Sequence, residues 1–169
     1  MKHANARRLL LASAALAVLA GCGFKLRGPF KFAFDSIYVA LPEGSSLGNE
    51  LRRQIASSGQ VRVVREPAQV PTAQVVLESL VDQREKSVVG LTSAGQVREF
   101  QLRLRFRFRL RTRDGKVLID NAEILQQRDV SFSETTALAS EAQEQLLYRD
   151  MQSDIVQQVL RRLAAVQVL

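Results

Sequence analysis

The side chains that most often carry catalysis or hold metals are scarce in this chain. Histidine and cysteine occur once each, as His3 and Cys22. Both fall at the N-terminal end, so Gly23 to Leu169 offers no imidazole or thiol for a Ser-His-Asp triad, a Cys-His pair or an ordinary zinc site. No G-x-S-x-G, P-loop or G-x-G-x-x-G motif occurs. A carboxylate pair is the remaining option, and Glu78, Asp82 and Glu85 form the closest grouping. At four- and three-residue spacing on a strand they read more readily as an ion-paired or solvated face than as an acid and a base. The expectation is a protein that is not an enzyme and uses no metal or cofactor. The second pattern with chemical content is "EFQLRLRFRFRLRTR", Glu99 to Arg113, in which arginine fills every odd position from Arg103 onward. Guanidinium groups bind phosphate and carboxylate in a bidentate manner, so this pattern can contact an anion.

The lone cysteine has a different explanation. Met1 to Arg8 contains Lys2, Arg7 and Arg8, and Leu9 to Ala20 is an uninterrupted run of Leu, Ala, Val and Ser. A membrane-spanning helix needs about 20 apolar residues, whereas a short apolar run behind a basic start suits a secretory signal. Leu19-Ala20-Gly21-Cys22 resembles a bacterial lipobox, which implies cleavage before Cys22 and acylation of its sulfur. An ordinary signal peptide would instead leave an unpaired thiol in a compartment that favours disulfides. Gly23, in place of the aspartate associated with inner-membrane retention, makes the outer membrane the expected destination. Residues 1–21 are then the signal, 22–34 a lipidated tether and 35–169 a single domain. Losing the signal removes three of 24 basic residues, leaving 21 against 17 acidic ones, a formal +4. So modest a charge on an exported, tethered domain speaks against nucleic acid as a partner.

In the mature chain, Ser36 to Leu41 is β-branched and apolar and stops at Pro42-Glu43-Gly44, which reads as a short buried strand. Ser46 can cap a helix carrying Leu47, Leu51 and Ile55 and ending near Gly59. Val61 to Glu66 reads as a second strand, followed by a connection around Pro67 and Pro71. Ala73 to Val89 is a longer strand leading into a hairpin tip, Gly90 to Gln96. In the next strand Phe100, Leu102, Leu104, Phe106, Phe108 and Leu110 share one parity and the arginines the other, a period of two that only a half-buried strand satisfies. Asp114-Gly115 suits a tight turn, and Lys116 to about Phe132 returns as the partner strand. Its Asp120, Glu123 and Asp129 are candidates to neutralise arginines across the ladder. A last helix follows "SFSETTALAS", with Ser140 and Gln143 at capping-box spacing and an apolar face built from Leu147, Met151, Ile155, Val159 and Leu163.

Two helices cover one face of such a sheet, so the predicted fold is α+β, a two-layer sandwich with a mixed or antiparallel sheet of four or five strands. The uncovered face would then be arginine. Same-face residues on a strand lie about 6.8 Å apart, which makes Arg103 to Arg113 a basic row roughly 34 Å long. Such a row can be a solvated surface that discourages edge-to-edge aggregation. It can equally meet lipid phosphates or an acidic partner, and charge alone does not choose.

"GCGFKLRG" (residues 21–28), the strand-helix-strand order, the S-x-G-Q hairpin at Ser93 to Gln96 and the "EFQLRL" run together resemble the lipopolysaccharide-assembly lipoprotein family LptE, over nearly the whole mature chain. The resemblance implies a lipoprotein that plugs a large outer-membrane β-barrel, LptD, as a heterodimer, helps that barrel assemble and binds lipopolysaccharide. It makes Arg98, Arg103, Arg105, Arg107, Arg109 and Arg111 candidate contacts for lipopolysaccharide or the barrel wall. The basic positions associated with lipopolysaccharide in the family fall here on Ser93 and Ser140, with Lys86, Arg98 and Arg128 nearby as substitutes. A free-standing periplasmic lipoprotein that binds anionic ligands or cell-wall polymers is the alternative reading of the same residues.

Overall fold

The computed structural model describes residues 30–133 and 137–167. The signal segment, Cys22 and the first part of the tether lie outside the described residues. Strand β1 (Ser36–Ala40) leads into helix α1 (Ser46–Ser57) and a short strand β2 (Arg62–Val64). A 3₁₀ turn (Pro67–Thr72) connects to β3 (Val75–Leu91), β4 (Val97–Thr112) and β5 (Val117–Ser131), and helix α2 (Ala137–Ala164) ends the fold. The sheet order is β2-β1-β3-β4-β5. Strand β1 pairs in parallel with both β2 and β3, whereas β3, β4 and β5 form an antiparallel meander. This is the α+β sandwich expected, with five strands in a mixed sheet.

Both helices lie on one face because the apolar parity of each strand faces them. Leu102, Leu104, Phe106, Phe108 and Leu110 from β4 share one buried cluster with Ile37 and Val39 of β1. From the helices that cluster takes Leu51 and Ile55 of α1 and Met151, Ile155, Val159 and Leu163 of α2. Phe106 and Phe108 stack with ring centroids 5.6 Å apart. Phe34 is buried, and Phe30 and Phe32 pack against the same cluster. The end of the segment expected to be a lipidated tether thus packs on the domain through Phe30, Phe32 and Phe34.

Helix starts differ from expectation in two places. Ser45, not Ser46, is the N-cap of α1, its hydroxyl accepting from the Gly48 amide at 3.0 Å, which leaves the Ser46 hydroxyl to reach Gln152 at 2.6 Å. Helix α2 is already under way at Ala137, so Ser140 lies inside it and not at its cap. At α1's other end Gly59 has φ of 67°, the left-handed conformation expected beyond a C-terminus. On the face away from the helices, Val64 of β2 and Val76 of β3 are buried although neither belongs to the helix-side cluster.

Candidate anion-binding face of the sheet

Beyond Glu78 strand β3 has no neighbour on the β1 side, so β3, β4 and β5 project as a three-stranded ribbon. Strict alternation along β4 puts Arg103, Arg105, Arg107, Arg109 and Arg111 on the face opposite the helices, each intermediate in burial. Arg98 is not part of that row. It shares the parity of Phe100 and Leu102 and is exposed near the hairpin end.

The row is neutralised unevenly. At one end Glu78, directly opposite Arg109, accepts from Arg109 Nη2 and from Arg111 Nε, each at 2.6 Å. These two hydrogen bonds, Arg111's first, hold the Glu78 carboxyl below its usual range against the opposing effect of burial. In the middle the contacts are longer: Arg103 to Glu85 is 3.6 Å and Arg105 to Glu123 is 4.0 Å. Arg107 faces Val81 on one side and Glu123 on the other, yet makes no ion pair among the described residues. The Nε atoms of Arg103, Arg105 and Arg107 are buried by their neighbours without an acceptor. An orphaned buried donor is a penalty that folded proteins seldom leave in place, and here three sit in succession beneath exposed guanidinium ends. A row of anionic oxygens laid across Arg103, Arg105 and Arg107 would supply the missing countercharge.

The carboxylate grouping separates. A bulge between Ser79 and Val81 shifts the parity of β3, so Glu78 and Glu85 face the arginines whereas Asp82 turns to the helix side, 3.4 Å from the Ser45 hydroxyl. Asp129 accepts from Gln101 instead of an arginine, at 3.0 Å. Lys86 is committed to Glu144 at 2.7 Å and lies over the Phe100 ring, and Arg128 reaches Asp154 at 3.4 Å. Ser93 is in the exposed hairpin tip. Ser140 lines a small recess of about 220 Å³ with Lys86, Phe100 and Phe132. The same bulge hid one feature from sequence reasoning: it swings Arg84 onto the helix side, where it lies over Tyr148. An unbroken period of two gives no sign of that.

Glu78 yields a pH prediction. A carboxyl whose pKa falls on folding contributes stability above its unfolded value, and that contribution is lost as pH falls through the lower folded value. The thermal midpoint of the native domain is therefore expected to fall more steeply between about pH 5 and about pH 3 than that of Glu78→Gln. Parallel pH profiles in thermal melts would refute the pairing.

The comparisons agree with this architecture. The family model for LptE, lipopolysaccharide-assembly, matches residues 34–163. A lipoprotein B from Nitrosomonas europaea, solved in solution, is 35% identical, with 85% of this chain and 91% of that one covered at a TM-score of 0.70. Rare lipoprotein B from Shewanella oneidensis shares the fold at 23% identity, covering 78% of this chain and 95% of that one, TM-score 0.62. A minor lipoprotein from Acinetobacter baumannii does so at 19% identity, with 80% and 94% covered and the same score. No curated protein matches. With the model spanning most of the folded domain and a relative above 30% identity along it, the chain belongs to the LptE family of lipopolysaccharide-assembly lipoproteins.

Proposed function

We propose that this chain is exported by residues 1–21, acylated on Cys22 and held at the outer membrane, where it plugs an LptD-type β-barrel as a heterodimer. In that position it helps the barrel assemble and binds lipopolysaccharide on its way to the outer leaflet, with no catalytic step. Family membership carries the reading. The arginine row supports it: an acidic barrel lining or the phosphates of lipopolysaccharide would complete the neutralisation that Glu78 begins at one end. A surface of this kind is under-neutralised in isolation and suited to burial against an anionic partner.

Site-specific photo-crosslinking in outer membranes tests the orientation. A crosslinker replacing Gln101, on the arginine face, is expected to capture one large barrel protein. Capture of nothing but lipid, or of many proteins in small yield, would contradict the plug assignment.

A further inference from the structure

On the opposite side of the sheet, residues of helix α1, strand β3 and helix α2 line an open cleft of about 650 Å³. That volume is in the range of small-molecule sites. Three arginines from three elements line it: Arg53 of α1, Arg84 of β3 and Arg149 of α2. None of them makes an ion pair among the described residues. The floor is built. Gln152, only 8% exposed, accepts from Ser46 at 2.6 Å and donates to Glu50 at 2.7 Å. Arg84 is held above the Tyr148 ring, 5.1 Å from its centroid, and its Nη2 donates to Ser46 and Gln152, each at 3.3 Å.

Those two bonds use the Nη2 hydrogens alone. A guanidinium has five N–H donors, so the Nε and Nη1 donors of Arg84 have no acceptor among the described residues, on a side chain whose position is already set. From this we infer that the cleft binds a phosphate monoester, with Arg84 as the anchor and Arg53 and Arg149 as flanking cations. A carboxylate is satisfied by one arginine fork. A phosphate monoester brings about two negative charges and three peripheral oxygens, which matches three cations arriving from three directions. Glu50 and Asp150, on the same walls, are placed to accept from hydroxyls on the body of the ester. The site faces away from the arginine row and does not depend on the barrel reading.

The test uses the full mature lipoprotein in neutral detergent micelles, followed by the Arg84 side-chain Nε–H resonance and the Gln152 amide. Titration with inorganic phosphate and with glucose 6-phosphate, against chloride at matched ionic strength, is the soluble arm; micelles doped with phosphatidic acid are the lipid arm. Saturable shifts at Arg84 and Gln152 are expected, weakened at least tenfold in the Arg53→Gln, Arg149→Gln double variant, whose thermal midpoint should stay native because neither arginine supports the floor. Saturation in the soluble arm marks a diffusible ester as the source; saturation in the lipid arm alone marks a headgroup. Absence of saturation in both arms, equal affinity in the double variant, or shifts confined to Arg103, Arg105 and Arg107 would overturn the proposal.

Discussion

Replacing Arg103, Arg105 and Arg107 together by glutamine is expected to lower lipopolysaccharide affinity by about 10–100-fold at low ionic strength, while the thermal midpoint remains close to native. Affinity should fall because these three guanidinium groups lack a close counter-ion: their contacts run from 3.6 Å to 4.0 Å, or are absent for Arg107. An incoming phosphate meets charge that the fold has not already spent on itself. Stability should hold because the row lies outside the apolar cluster, to which the other parity of β4 contributes. The salt dependence is part of the prediction. Exposed charges are screened beyond about 10 Å at 0.1 M salt, so the difference between native and triple variant should shrink as salt rises. Arg109→Gln and Arg111→Gln should lose much less affinity, since Glu78 already engages both. Equal affinity of native and triple variant at low salt would remove the row from the lipopolysaccharide contact.

The opposite face gives the second large effect. Phe106 is completely buried, stacks on Phe108 with the rings 17° from parallel and belongs to the cluster shared by both helices. Truncation to alanine removes that contact and opens a cavity in a core that cannot fully collapse, at a cost of about 3–5 kcal/mol. For a domain of this size that corresponds to a thermal midpoint lowered by roughly 10–20 °C. Leu125, a large apolar residue on the arginine face opposite Arg105, is 39% exposed, and Leu125→Ala should change stability by no more than about 0.5 kcal/mol. Calorimetric melts of the two variants separate the covered face from the open one. Similar losses in both would mean that the faces are wrongly assigned.

Much of this arrangement is written in the pattern of β4. Its period of two reports burial on one side and solvent on the other, and the bounds Val97–Thr112 lie within two residues of those the alternation suggests. Elements whose placement depends on distant partners are less legible. Nothing local places β1 between β2 and β3, parallel to both, because pairing order reflects which apolar faces can be buried together. The β3 bulge has the same character. One extra residue between Ser79 and Val81 reverses the side on which Asp82 and Arg84 emerge, so a carboxylate grouping that looks continuous in sequence is split across the sheet. Arg98 illustrates the converse. Its even number puts it on the parity of Phe100 and Leu102, apart from the odd-numbered arginines. At the start of α1 the adjacent hydroxyls of Ser45 and Ser46 compete for the cap, and the outcome depends on a side-chain partner, Gln152, that lies about 100 residues along the chain.

The most direct test of the plug assignment is to recover the tagged lipoprotein from outer membranes in mild detergent and weigh what comes with it. A single large barrel protein at one-to-one stoichiometry is expected, shifting on gels between unheated and heated samples as closed barrels do. Clean recovery of the lipoprotein alone, from membranes in which it is correctly acylated, would overturn the plug assignment and favour a free-standing periplasmic binder built on the same fold.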